Sequence, residues 1–155
     1  MMTNRAYTYI NEENTRKARL FLTRPDELEK TINDRLEEIS HLRELVTRTS
    51  VVISDVRVVT SRNVISLEDR LLEICHLERE VDRLIDEMTA AKAAVREVLD
   101  MLPLNLNRVL SLIYVSGLNR AEVARRMKAS RTTVYRYQEQ GMIMVEEILD
   151  SQEAA

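Results

Sequence analysis

Two glycines and two prolines in 155 residues leave this chain very little turn chemistry. Strand-rich folds need many turns, and turns draw on Gly and Pro for backbone angles that other residues adopt only at a cost. A chain this poor in both can join only a few long elements, and those elements are helices. Apolar residues are plentiful at 45%, yet aromatics make up only 4% and Trp is absent. The expected fold class is all-α: a long helical hairpin resembling a coiled coil, followed by a C-terminal module of shorter helices.

The body predicts two long helices. Leu28, Ile32, Leu36, Ile39, Leu42, Leu45 and Val46 recur three and four residues apart, which puts them on one helical face over residues 25–46. Thr23 and Asp26 have capping-box spacing, with Pro25 in the first turn. A second helix is expected over residues 67–101, opened by Ser66 and Asp69 at the same spacing. Along it Ile74, Leu77, Val81, Leu84, Met88, Ala91, Val95 and Val98 form a heptad seam about four heptads long. The shorter first helix can cover part of that seam. The remainder is expected to face a second copy of the chain, making a homo-oligomer; the alternative is a monomeric hairpin whose seam is finished by the C-terminal module. Between the helices, residues 47–65 (TRTSVVISDVRVVTSRNVI) are poor in helix formers. The run VVISDVRVV has strand character but no partner strand in this chain, so a connecting loop is expected. Residues 1–24 form an N-terminal segment whose only pattern is the apolar cluster Ala18, Leu20, Phe21 and Leu22.

Residues 102–155 have clearer grammar. Pro103 breaks the long helix, Leu106, Val109, Leu110 and Ile113 repeat with helical spacing, and Gly117 is placed to end that helix. Asn119 to Tyr137 then reads NRAEVARRMKASRTTVYRY, the pattern of a helix-turn-helix. Two helices crossing closely need small or apolar residues where they touch. Val123, Ala124 and Met127 supply that contact from the first helix, and Val134 and Tyr137 from the second. Asn119 and Glu122 have capping-box spacing, and Ser130 is the expected N-cap of the second helix. That second helix offers Arg131, Thr132, Tyr135 and Arg136 as candidates to read base edges in the major groove of double-stranded DNA. Arg120, Arg125, Arg126, Lys128, Ser130 and Thr133 are candidates to hold phosphates.

Charge distribution agrees with that reading better than net charge does. The chain carries −3, but residues 103–145 contain seven basic and two acidic residues, a local +5 that leaves −8 elsewhere. A basic module on an acidic body suits a DNA reader on an interaction scaffold. Enzymatic function is not expected, because there is no Gly-rich phosphate loop and no nucleophile beside a plausible base. His41 and His76 sit in helical patterns, and one Cys with two His builds no familiar metal site. No cofactor, metal or small-molecule substrate is expected. The N-terminal residues show no apolar signal region and no apolar run is long enough to span a bilayer, so the expected location is the cytoplasm without membrane contact.

The stretch from Leu102-Pro103 through Ile148 resembles the fourth region of bacterial sigma factors, carried by RVLSLIY at Arg108 to Tyr114, then GLNRAEVARRM, then SRTTVYR. Two helices followed by such a module resemble phage-encoded late transcription regulators of the Rin/ArpU type. The first helix of those proteins is matched by Ile32 to Ile39 with Leu42-Arg43, and the second by Leu77 to Asp82. The resemblance implies a sequence-specific transcription regulator, activating late genes of a phage or prophage at the nucleoid of a bacterial host, with RNA polymerase as a further partner. One position departs from the pattern: the turn between the two helices usually carries Gly, and here it carries Lys128. Other classes stay in view, namely a helical adaptor binding polymerase or another protein, and a small-terminase-like packaging subunit. The usual order in the latter places the DNA module first rather than last.

Overall fold

The computed structural model describes residues 13–55 and 61–155, and all regular structure among them is helical. Helix α1 spans Arg16–Asp55 and α2 spans Ser61–Leu99. Helix α3 spans Leu104–Leu110 and runs into a π-helical turn at Ser111–Val115. Helices α4 and α5 span Arg120–Met127 and Arg131–Ala154. The chain divides into two compact units. One holds the described residues up to Arg24 together with Ala91–Ala155; the other is Pro25–Ala90.

The second unit is an antiparallel helical hairpin. The pairing order sets its direction: Arg35 Nε meets Glu80 at 3.2 Å, Arg43 meets Glu78, and Arg70 donates to the Thr49 hydroxyl at 2.9 Å. Leu28, Ile32 and Ile39 on α1 are buried, as are Ile74, Leu77, Val81 and Leu84 on α2. Beside this seam an open groove of about 450 Å³ is lined by Leu36, Ile39, Ser40, Arg43, Glu78, Val81 and Asp82.

Both long helices extend beyond their expected limits. Residues 47–55 and 61–65, expected as loop, are helical, and residues 56–60 of that segment lie outside the described residues. Weak helix propensity in a Val, Ser and Thr stretch is a bias of only tenths of a kcal/mol per residue, which continuation of a long helix overrides. Ser66 therefore lies inside α2 and caps nothing. The capping box at Thr23 and Asp26 is likewise absent, because α1 begins at Arg16 and passes through Pro25. The Thr23 hydroxyl donates instead to the Arg19 carbonyl at 2.7 Å. An interior proline costs about 3 kcal/mol. Burial of Ala18 and Leu22 on the turns before it offsets that cost.

The first unit has two cores. In the larger, Ala18 and Leu22 of α1, Val95, Val98 and Leu99 of α2, Leu106 and Leu110 of α3, and Met142 and Val145 of α5 pack with Leu102. Gly141 makes the α3–α5 approach possible, since a Cβ there would lie 2.8 Å from Leu110 Cδ1. Glu146 accepts from the Ala18 backbone N–H at 2.6 Å, a carboxylate at the N-terminal turn of α1 where the first amides lack intrahelical partners. Lys17 spans Asp150 and Glu153 at 2.8 and 2.7 Å, and these carboxylates push its ammonium above the ordinary lysine range.

These burials settle what covers the heptad seam within one chain. Ile74, Leu77, Val81 and Leu84 are consumed by the hairpin, Val95 and Val98 by the core of the first unit, and Met88 and Ala91 are half-buried. Within one chain, then, six of the eight seam positions are buried and two remain partly open. Among the described residues of the hairpin, the large apolar side chains left exposed are others, namely Leu36, Leu71, Leu72 and Ile85.

Candidate nucleic-acid interface

The second, smaller core of the first unit holds α4 and α5 together. Val109, Val123, Ala124 and Val134 are buried there, and Leu112, Ile113, Leu118, Met127 and Tyr137 pack against them. All five residues expected at the crossing of these two helices thus meet in one cluster, three buried and two partly buried. Tyr137 also touches the larger core, so it joins the two. The π turn serves the same division. Its Leu112 and Ile113 face the small core, whereas Tyr114 packs on the large one.

Local geometry fixes both ends of the connection. The Asn119 side chain accepts from the Glu122 backbone N–H at 2.9 Å and caps α4. Only half of a capping box forms, because the Glu122 carboxylate turns to Arg125 and Arg126 instead. Gly117 ends the preceding turn with φ of 71°. Lys128 ends α4 with φ of 52° and ψ of 43°, so it adopts the left-handed conformation that usually selects Gly. A side chain there costs about 1–2 kcal/mol, part of which Gly would return as lost backbone entropy. Lys128→Gly is expected to raise stability by about 0.5–1 kcal/mol, read from the denaturant midpoint at unchanged slope. Ser130 caps α5 by accepting from the Thr133 N–H at 3.1 Å, and its hydroxyl also meets the Thr133 hydroxyl at 2.9 Å.

The candidate contact residues separate into four groups. Arg131, Thr132, Tyr135 and Arg136 are exposed on the first turns of α5; Thr132 and Arg136 lie opposite the buried Val134, and Arg131, three residues before it, lies on its flank. Lys128, Arg131 and Arg136 have no ion-pair partner among the described residues. Arg125 and Arg126 are exposed but share Glu122, at 2.5 and 3.4 Å. The Arg125 guanidinium holds that carboxyl below its ordinary range, with Arg126 adding to the effect. Arg120 forms the third group. Its Nε donates to Gln138 Oε1 at 2.7 Å and its guanidinium lies 4.8 Å from the Tyr135 ring centroid. Ser130 and Thr133 spend their hydroxyls on the cap, and Thr133 is half-buried.

Sequence reasoning missed Gln138 and Tyr114, which complete the Arg120 contact: Gln138 Nε2 donates to the Tyr114 hydroxyl at 3.3 Å. Their separation in sequence gives no periodic signal. Elsewhere, Cys75 is exposed. Among the described residues no cluster of three or more His, Cys, Asp and Glu is placed to hold a metal, and no helix is long and apolar enough to cross a membrane. No family model, no curated protein and no solved structure matches this chain.

Proposed function

We propose that this protein is a sequence-specific DNA-binding transcription regulator whose α4 and α5 act as a helix-turn-helix. The observation that carries the proposal is the trio Lys128, Arg131 and Arg136. These cations stand exposed and without an ion pair at the turn and on the first turns of a capped helix, which the buried Val134 anchors to the smaller core. Unpaired cations on a rigid helix start are suited to phosphates and guanine edges, since neither needs an existing ion pair to break first. Arg131 and Arg136 are the base readers. Lys128, Arg125 and Arg126 meet phosphates.

The phage or prophage setting, the activating direction and contact with RNA polymerase rest on the resemblance to sigma region 4 and to Rin/ArpU-type regulators. An adaptor role has one observation in its favour: Met101 and Leu104, flanking Pro103, are exposed apolar side chains available to a protein partner.

Selection of duplexes from a random pool tests the proposal directly. Enrichment of a defined motif is expected; binding that follows salt alone, with no motif, would move the weight to the adaptor. A second test uses Glu122→Gln, which releases Arg125 and Arg126 from their shared carboxylate. Affinity for random-sequence DNA is expected to rise about three- to tenfold at low salt, with a steeper dependence of log K on log salt. An unchanged slope would mean that neither arginine meets a phosphate.

A further inference from the structure

We infer that Arg120 is a positioning residue for Tyr135, setting the direction in which that ring faces a base pair, rather than a phosphate ligand. The inference rests on the proposed DNA reading and adds to it the residue that orders one of the readers.

The geometry behind it is a chain of four side chains from three elements. Tyr114 stands in the π turn, Arg120 opens α4, and Tyr135 and Gln138 lie one turn apart on α5. Gln138 uses both ends of its amide: its oxygen accepts from Arg120 Nε at 2.7 Å and its nitrogen donates to the Tyr114 hydroxyl at 3.3 Å. With Nε tied down, the planar guanidinium is held over the Tyr135 ring at 4.8 Å. One face of the ring is therefore occupied by a cation that the protein itself supplies, an arrangement favoured by the ring quadrupole.

Two consequences follow. A guanidinium committed to a ring face and an amide is poorly placed to release counterions by neutralising phosphate, so Arg120 contributes little to the salt dependence of binding. An aromatic side chain on a helix can take more than one staggered χ1 rotamer. The Arg120 stack restricts that sampling, and a reader already ordered loses less entropy on docking. Lysine cannot replace arginine in this role, because an ammonium has neither the planar face for stacking nor the fixed fork that holds Gln138 while covering the ring. It could replace arginine as a phosphate ligand.

The test compares wild type with Arg120→Ala, Arg120→Lys and Tyr135→Ala in the full chain, by duplex selection and by salt titration on random DNA. Arg120→Ala is expected to flatten the same motif positions as Tyr135→Ala, with discrimination there falling on the order of tenfold. The slope of log K against log salt should change by much less than the roughly 0.9 of one lost phosphate contact. Arg120→Lys should fail to restore the flattened positions. Full rescue by lysine, or uniform weakening with the slope reduced by about 0.9, would overturn the inference in favour of a phosphate contact. Tyr135 side-chain couplings measured by NMR on the free protein give a readout independent of DNA: one χ1 rotamer in wild type and averaging in Arg120→Ala are expected. A ring that stays fixed in Arg120→Ala would also overturn the positioning role. A wild type that enriches no motif overturns the DNA reading, and the couplings then decide separately whether Arg120 orders the ring.

Discussion

Val81→Asp is expected to destabilise the protein itself by about 3–5 kcal/mol, rather than to separate one chain from another. Val81 is only 6% exposed, on the seam of the α1–α2 hairpin, and it lines a groove with Ile39, Leu36, Glu78 and Asp82. The substitution removes the burial of a branched apolar side chain and puts a carboxyl among apolar atoms with two carboxylates near it. The new group must either stay charged in a poor solvent or take up a proton, and both cost folding free energy. Against a typical total of about 5–15 kcal/mol, the loss is large. Denaturant unfolding followed by far-UV circular dichroism gives the magnitude, and light scattering at the same concentration gives the mass. Leu36→Asp is the comparison, because Leu36 is 47% exposed and should change stability by about 0.5 kcal/mol or less. If Val81→Asp melted like wild type but with half the mass, the seam would be an interface between chains.

The seam also shows how far the sequence could be read. Heptad spacing identified the buried positions Ile74, Leu77, Val81 and Leu84, because helix periodicity and burial are the same constraint. It was silent about what covers them, since an apolar stripe packs equally well on its own chain or on a copy. Covering Val95 and Val98 intramolecularly needed the extra length of α1 before the expected helix, where Ala18 and Leu22 join their core. Local rules place a boundary at Pro25; the tertiary burial of Leu22 overrides them. The α4–α5 crossing was legible for a related reason. Ala124 and Val134 lie where bulk or charge would part the helices, so close approach leaves a mark in residue type. Surface chemistry leaves no such mark. Arg120 looks like any other exposed cation until Tyr135 and Gln138 are brought beside it, and Arg125 and Arg126 look free until Glu122 is seen to hold both.

Substitutions at Val123, Ala124 or Val134 disturb core packing and any binding together, and so cannot separate the two. The exposed, unpaired cations can. Their side chains make no ion pair among the described residues, so removing them should leave stability within about 0.5 kcal/mol. A change in DNA recognition by such variants would then report on contact with DNA and nothing else.

The double substitution Arg131→Ala, Arg136→Ala is accordingly expected to abolish sequence selection while the protein stays folded. Each bidentate contact of an arginine with guanine carries roughly 1–3 kcal/mol of discrimination, so two of them together would carry about 2–6 kcal/mol. Arg131 opens α5 and Arg136 lies five residues on, about 140° around the helix, and both are exposed, as are Thr132 and Tyr135 between them. Binding to random DNA should survive in weakened form, carried by Lys128, Arg125 and Arg126. The informative quantity is therefore the ratio of specific to non-specific affinity at fixed salt, not affinity alone. Selection from a random pool with wild type and variant side by side supplies it. A motif enriched by wild type and lost in the variant would assign base reading to these arginines, and a palindromic motif would further show that two copies bind as a two-fold dimer, with the half-site spacing giving their separation. The same motif from both proteins would remove Arg131 and Arg136 from the base-reading surface and leave them as phosphate contacts.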